Sequence, residues 1–211
     1  MRYKLVAFDM DGTLTVGYNS WEMINRHFGA RRAARKNFEA WDRGEISYPE
    51  FVHRDIALWQ PLPTIKKIEE ILSSYKIAPN VREVLREIHH KGYKTAIITS
   101  GIDILANKIA NELSIQNVVA NGLEVDKRGY LTGKGIIRVD PNRKNLTLNQ
   151  LTKDIGVSLE ECVAVGDSKY DAKFLECAGL GVAIGGDPEL ARVADVVIQD
   201  FENLPKLLDY L

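Results

Sequence analysis

Cysteine, long apolar runs and a net charge of either sign are scarce or missing in this 211-residue sequence. No apolar stretch reaches the ~20 residues of a membrane span, and Asp9 interrupts the apolar N-terminal run, so neither a membrane helix nor a signal peptide is expected. The only cysteines, Cys162 and Cys177, lie in apolar patterns, which favours buried free thiols over a disulfide or a zinc site. The net charge of -1 argues against nucleic acid or an anionic membrane as a partner. These absences predict a soluble, cytoplasmic protein.

Short apolar runs alternate with helical patterns along most of the chain. The strand-like runs are residues 4–8, 93–99, 117–120, 162–165, 180–184 and 196–198. Strands that alternate with helices predict an α/β fold with a parallel sheet. The turn-rich segment 122–135, with Asp126-Lys127-Arg128-Gly129 at its centre, predicts an antiparallel β-hairpin at the edge of that sheet.

Residues 15–75 differ from the rest because they show helix-period apolar residues and no strand pattern. We expect three helices here, forming a helical cap inserted into a core domain of residues 1–14 and 76–211. All three tryptophans, Trp21, Trp41 and Trp59, lie in this insertion, where they either fill a small helical core or face a ligand. The basic run at 31–36 is either a solvated helix face or a rim that attracts anions.

Two carboxylates, Asp9 and Asp11, come directly after the apolar run 5–8. Such a run predicts a buried strand, so the pair is expected in a loop at the carboxyl end of the sheet, where open α/β sheets bind ligands. Unpaired carboxylates that are packed together repel each other, so a cation, a proton or both are expected beside them. The alternative is an ordinary solvated loop.

Three further features are each weak alone, because serine, lysine and Gly-Asp are common in caps, surfaces and turns. Thr99-Ser100-Gly101 ends one predicted strand, Gly166-Asp167-Ser168 ends another, and Lys144 lies 23 residues before the aspartate. In this order, and with the N-terminal carboxylate pair, they resemble the four motifs of the haloacid dehalogenase superfamily, most of whose members transfer phosphate groups. The resemblance implies a Rossmann-like core, and the cap position and motif spacing are most similar to the phosphoserine phosphatase branch.

The resemblance implies a role for each aspartate of these motifs. Asp9 would attack phosphorus and form an aspartyl-phosphate, and Asp11 would protonate the leaving oxygen and then activate water. Asp167, with Asp9 and the backbone carbonyl of Asp11, would hold one Mg²⁺. Asp171 would orient the waters of this ion; its alternative is an acid in the first turn of a helix, favoured by the helix dipole.

The resemblance also implies a phosphate-binding set. Ser100, the Gly101 backbone and Lys144 would contact the phosphate oxygens, on which negative charge concentrates during transfer. Arg143 and Lys153 are the alternatives to Lys144 for the cationic member of this set.

Two departures from the phosphoserine phosphatase pattern concern the substrate. Tyr170 stands where the fourth motif usually has asparagine, and Tyr18 stands where a cap glutamate would hold the serine amino group. Glu22 lies further along and is a second candidate for that contact. Arg54 falls near the place of a carboxylate-binding arginine, but it pairs equally well with Glu50 at helical spacing.

The sequence therefore predicts a Mg²⁺-dependent phosphatase that hydrolyses a small phosphorylated metabolite, as a monomer or a homodimer. One alternative is a phosphotransferase or mutase of the same superfamily, which would pass the phosphoryl group to a second hydroxyl. Another is a non-catalytic module that binds phosphate and Mg²⁺. Neither nucleic acid nor a membrane is expected as a partner.

Overall fold

The computed structural model describes residues 2–211, and its largest element is a seven-stranded sheet. The strands are β1 (Leu5–Phe8), β2 (Thr15–Val16), β3 (Lys76–Ile77), β4 (Lys94–Ile102), β5 (Asn117–Val125), β6 (Leu131–Ile136), β7 (Cys162–Gly166), β8 (Leu180–Ile184) and β9 (Val196–Ile198). The sheet has the order β6-β5-β4-β1-β7-β8-β9, and all of its pairs are parallel except β5 with β6.

Strand β1 lies at the centre of this sheet, between β4 and β7. All four of its side chains are buried, because helices cover both faces of a parallel sheet. Phe8, its last residue, pairs with Ile97 on one side and Val165 on the other. The predicted α/β fold with a mainly parallel, Rossmann-like sheet is confirmed.

The helices are α1 (Ser20–His27), α2 (Arg31–Asp42), α3 (Tyr48–Ala57), α4 (Ile65–Leu72), α5 (Val81–His90), α6 (Asp103–Leu113), α7 (Lys144–Ile155), α8 (Ala172–Glu176) and α9 (Pro188–Ala191). Single 3₁₀ turns precede α7 and α8, and a longer 3₁₀ segment, Phe201–Asp209, ends the chain. Among residues 2–211, no helix combines the length and the apolar character needed to cross a membrane.

The edge hairpin is present, but its first strand is longer than predicted. Strand β5 pairs in parallel with β4 through its first half and antiparallel with β6 through its second half. The single strand β5 therefore contains both the predicted strand at 117–120 and the first strand of the hairpin predicted at 122–135. The full length of β5 could not be predicted from the apolar pattern, because the polar residues Asn121 and Glu124 interrupt the apolar run but do not interrupt the strand.

The segment between β2 and β3 contains four helices, α1 to α4, rather than the predicted three. Helices α1 and α4 have only eight residues each, and such short apolar periods give too little signal to count the helices correctly. The prediction of no strand in 15–75 was also wrong, because β2 lies at the start of this range and pairs antiparallel with β3, which lies just after it. Two residues per strand carry no detectable alternation.

Candidate active site

The polar motifs meet at one edge of the sheet because they follow neighbouring strands. Asp9 comes directly after β1, Asp167 comes directly after β7, and Ser100 lies near the end of β4. Lys144 is the first residue of α7, and it reaches the same edge with only 3% of its surface exposed. Chain-distant residues thus form one site at the carboxyl end of the sheet, as open α/β folds require.

The centre of the site is a cluster of three carboxylates around one ammonium group. Oxygens of Asp9, Asp167 and Asp171 lie within 4.8 Å of one another. Nζ of Lys144 donates to Oδ1 of Asp9 at 2.7 Å and to Oδ1 of Asp171 at 2.5 Å. A single ammonium cannot balance three carboxylates, so the cluster has an excess of negative charge.

The pKa values report this excess. Burial, together with the charges of Asp9 and Asp171, raises the pKa of Asp167 to about 8. Burial also raises the pKa of Asp9 above its usual range, against the opposing effect of Lys144. For Lys144, burial alone would lower the pKa, but Asp171 and Asp9 hold it above its ordinary value. A hard cation beside the carboxylates would relieve this repulsion, and carboxylate oxygens are the ligands that Mg²⁺ prefers, so this donor set fits the ion.

Asp171 caps the 3₁₀ turn that precedes α8 and also belongs to the charged cluster. Its side chain is fully buried, and its Oδ2 accepts hydrogen bonds from the backbone N–H groups of Asp167 and Ser168, each at 3.2 Å. Its Oδ1 accepts from Lys144. Asp171 is therefore an acid in the first turn of a helix, as the alternative predicted, and it is also a member of the charged cluster.

The cationic member of the cluster is Lys144 rather than its sequence alternatives. Arg143 and Lys153 are both exposed, whereas Lys144 is buried and bonded to two aspartates. All three residues lie at a plausible spacing from Asp167 along the chain, and the structure shows that Lys144, which directly follows the 3₁₀ turn at Pro141–Arg143, is the one that reaches the aspartates.

Asp11 points away from the carboxylate cluster toward the helical insertion. Its Oδ2 accepts a hydrogen bond from Oγ of Ser20 at 2.9 Å, and the Ser20 backbone N–H lies 3.2 Å from both of its oxygens. Burial raises the pKa of Asp11 to about 7, the charge of Asp9 adds to the rise, and the hydrogen bonds from Ser20 oppose it. Sequence reasoning missed Ser20, because a serine at the start of a helix carries no signal beyond that of a cap.

The carboxyl end of β4 is fixed by groups from the helical insertion and from β5. The carbonyl oxygen of Ser100 accepts hydrogen bonds from Trp21 Nε1 at 3.1 Å, Tyr48 Oη at 3.3 Å and Asn121 Nδ2 at 3.1 Å. The N–H of Gly101, predicted to bind phosphate, donates to Oγ1 of Thr99 at 3.0 Å. The Ser100 side chain remains partly exposed and lines the pocket described below.

Gly12 is required by the close approach of the β1 loop to Asp167. Its φ is +93°, and an added Cβ would lie 2.2 Å from Oδ2 of Asp167. The neighbouring Thr13 donates from Oγ1 to Oδ1 of the same carboxylate at 2.8 Å. The backbone of this loop therefore sets the position of Asp167.

Replacing Gly12 with alanine is expected to lower the free energy of unfolding by about 1–3 kcal/mol and to lower kcat by up to about 10²-fold, because the new methyl group displaces Asp167. Gly17→Ala is the matched control, since Gly17 has a φ of +99° with open space around its Cβ position. Urea unfolding and phosphatase assays compare the two. Equal losses of activity in both variants would contradict the importance of the contact with Asp167.

A pocket of about 820 Å³ extends from this cluster into the helical insertion. Several predicted residues line it: Asp9, Asp11, Glu22, Ser100, Gly101, Lys144 and Asp167. Arg31, Arg32 and Arg35 from the basic run line it as well, so this run is more than a solvated helix face.

Two of the candidate substrate contacts lie outside the pocket. Tyr18 is half exposed and packs against Arg26, whose guanidinium carbon lies 3.8 Å above the centre of its ring. Arg54 donates from Nε to Glu50 at 2.8 Å on an exposed helix face, which is the structural alternative for this residue. Neither side chain lines the pocket, so we leave both out of the proposed site.

Comparison with family models identifies one family that covers most of the chain. Residues 6–176 match the model of haloacid dehalogenase-like hydrolases. A phosphoserine phosphatase of Methanocaldococcus jannaschii is 31% identical over 210 residues, which cover 99% of this chain and 97% of that protein. A phosphoserine phosphatase of Archaeoglobus fulgidus is 33% identical over 210 residues, and the match spans 60% of its length.

Solved structures show the same similarity in three dimensions. A phosphoserine phosphatase with an analogue of the phospho-aspartyl intermediate is 28% identical, with a TM-score of 0.83 and complete coverage of both chains. A substrate-bound phosphoserine phosphatase complex is 29% identical, with a TM-score of 0.84, and the match covers 100% of this chain and 99% of that one.

Proposed function

Because the chain belongs to the haloacid dehalogenase-like hydrolase family and is a phosphoric monoester hydrolase, we propose that it uses Mg²⁺ and forms an aspartyl-phosphate on Asp9. The observation that carries this proposal is the buried cluster in which Lys144 joins Asp9 and Asp171, with Asp167 beside them. The similarity to a structure of a phospho-aspartyl intermediate analogue supports it.

In the proposed reaction, a carboxylate oxygen of Asp9 attacks phosphorus while the bond from phosphorus to the leaving oxygen breaks. Asp11 gives a proton to that oxygen, so the product leaves as a neutral alcohol. In the second step Asp11 takes a proton from water, the resulting hydroxide attacks phosphorus, and Asp9 is released with inorganic phosphate. Asp11 suits both tasks because Ser20 holds it apart from the carboxylate cluster.

Asp9, Asp167 and the backbone carbonyl of Asp11 would hold Mg²⁺, and Asp171 would position its waters. The ion would neutralise charge on the phosphate oxygens. Lys144 would share this task, because its raised pKa keeps it positively charged. Ser100 and the Gly101 N–H would donate to the remaining phosphate oxygens. For this, the Gly101 N–H must give up its hydrogen bond to Oγ1 of Thr99 and donate to the phosphate instead.

We propose that residues 15–75 act as a cap domain over the core formed by 1–14 and 76–211. Contacts between the two parts support this division. Trp21 and Tyr48 donate to Ser100, and Tyr170 donates to Oδ1 of Asp42 at 2.6 Å. A cap in this position would exclude bulk water from the aspartyl-phosphate and leave one entrance for the substrate.

Removal of the metal tests this function. Protein stripped with EDTA and dialysed is expected to lose at least about 100-fold in turnover of acetyl phosphate, and added Mg²⁺ is expected to restore it, because the ion offsets several kcal/mol of charge repulsion. Phosphate release is measured, and circular dichroism checks that the stripped protein keeps its fold. Full turnover by stripped protein, or no turnover of any phosphate monoester with Mg²⁺, would contradict the proposal.

A further inference from the structure

The pocket that contains the carboxylate cluster is also lined by aromatic side chains. This aromatic wall consists of Trp21, Phe38, Trp41, Tyr48, Phe51 and Tyr170. The ring of Trp41 stacks on Phe51 at 5.6 Å between centroids and lies 5.2 Å from Tyr170. Phe38 is 40% exposed although it lies 5.6 Å from Trp41, so part of its apolar ring is open to the pocket. A ligand body that covered this ring would gain from burial and from aromatic stacking.

The size of the pocket agrees with a ligand larger than an amino acid. Its volume of about 820 Å³ falls in the ~300–1,000 Å³ range of sites that enclose drug-sized ligands. The carboxylate cluster lies on the core side of the pocket, where the phosphate would bind, whereas five of the six aromatic residues belong to residues 15–75. The aromatic wall therefore faces the part of the substrate that carries the leaving oxygen.

Both carboxylates that the cap contributes to the pocket lining already have partners within the cap. Glu22 lies 3.5 Å from the guanidinium of Arg31, which compensates its charge. Asp55 is buried and accepts hydrogen bonds from Asn25 and Asn37, each at 2.9 Å, and burial raises its pKa above the usual range. Among residues 2–211, these are the acidic groups that the cap contributes to the pocket lining.

The same side carries positive charge in excess. Arg31, Arg32 and Arg35 line the pocket from α2. Arg31 is paired with Glu22, and Arg35 donates to Glu39 at 2.9 Å. Arg32 is exposed and forms no ion pair with any of residues 2–211. One guanidinium at the pocket is therefore available to an anion.

We propose that the substrate is a phosphate monoester whose leaving group is an aromatic body with a second anionic group and no ammonium. This inference rests on the proposed phosphatase function and defines its substrate class. The aromatic ring stacks against the aromatic wall, and the second anion pairs with Arg32. An α-amino acid phosphate fits less well, because its ammonium group meets guanidinium groups instead of a free carboxylate.

The test compares three phosphate esters of primary alcohols, so that leaving-group reactivity is closely matched: benzyl phosphate, 4-carboxybenzyl phosphate and O-phospho-L-serine. We expect kcat/KM for 4-carboxybenzyl phosphate to exceed that for O-phospho-L-serine at least about tenfold and that for benzyl phosphate roughly fivefold. Arg32→Gln should bring the ratio of kcat/KM for 4-carboxybenzyl phosphate to that for benzyl phosphate near one, mainly by raising KM for the carboxylated ester. Phe38→Ala should reduce the ratio of kcat/KM for 4-carboxybenzyl phosphate to that for O-phospho-L-serine.

Lys36→Gln is the matched control for Arg32→Gln, because Lys36 is exposed on the same helix and does not line the pocket. It should leave both ratios unchanged. Equal or better turnover of O-phospho-L-serine, or a ratio of carboxylated to neutral substrate that Arg32→Gln does not alter, would overturn the inference. Phosphate release separates this failure from failure of the proposed function: hydrolysis of O-phospho-L-serine, benzyl phosphate or acetyl phosphate in those cases leaves the phosphatase intact, and resistance of all four phosphate compounds in the presence of Mg²⁺ removes both proposals.

Discussion

Asp9→Asn is expected to lower kcat by at least about 10⁴-fold, because an amide cannot attack phosphorus as a carboxylate does. The fold should survive, since the amide is similar in shape and its oxygen can still accept from Lys144, which also keeps Asp171. The raised pKa of Asp9 means that burial already opposes its charge, so loss of that charge removes repulsion as well as attraction. We expect the free energy of unfolding to change by no more than about 1 kcal/mol.

Steady-state turnover and urea unfolding measure the two effects separately. An acid-quenched reaction adds a direct readout, because phosphate should stay covalently bound to the wild-type protein and not to the variant. Asp154→Asn is the matched control: Asp154 is exposed on the helix that Lys144 begins, and its replacement should leave turnover unchanged. Turnover by Asp9→Asn within tenfold of the wild type would exclude Asp9 as the nucleophile.

Lys144→Met is expected to reduce both stability and activity. It leaves Asp9 and Asp171 buried without their cation, and breaking a buried ion pair in this way costs about 3–5 kcal/mol of unfolding free energy. It also removes one positive group from the site where phosphate charge concentrates, so we expect a loss of about 10²–10³-fold in kcat. Urea unfolding without added Mg²⁺ measures the loss of stability. Steady-state turnover with added Mg²⁺ measures the loss of kcat.

Two further variants separate these effects. Lys153→Met changes an exposed lysine on the same helix and should alter stability by less than about 0.5 kcal/mol. Adding Asp171→Asn to Lys144→Met removes one of the two buried carboxylates that lack a cation. The free energy of unfolding should therefore partly recover, whereas kcat should not. A stability loss below about 1 kcal/mol for Lys144→Met would show that the carboxylates do not depend on this lysine.

Much of the core could be predicted because its signals are local. The run 5–8 is apolar at every position, and this pattern is characteristic of a strand buried on both faces. The motifs at Asp9, Ser100 and Asp167 then follow strand ends, and parallel strands bring their carboxyl ends to one edge. The two-residue strands β2 and β3 were missed, and the cap helices were counted as three instead of four, because so few residues per element give no clear period.

The cap contacts could not be predicted because they depend on how helices pack against the core. Helical spacing shows which residues share a face, but the direction of that face is decided by contacts with residues far away in the chain. Tyr18 and Arg54 looked like substrate contacts by position, and packing on Arg26 and pairing with Glu50 place them elsewhere. Arg32, which the sequence offered only as part of a basic run, lines the pocket.

The sequence by itself determined the sheet, the order of the chemical motifs along it and the identity of the carboxylates, because each of these depends on neighbouring residues and on the general geometry of parallel sheets. Only the tertiary structure decided which groups touch. It joined Lys144 to Asp9 and Asp171, turned Asp11 toward Ser20, and placed the aromatic wall and the carboxylate cluster in one pocket. Such contacts join residues tens of positions apart, and their direction follows from the packing of whole elements, which no local pattern encodes.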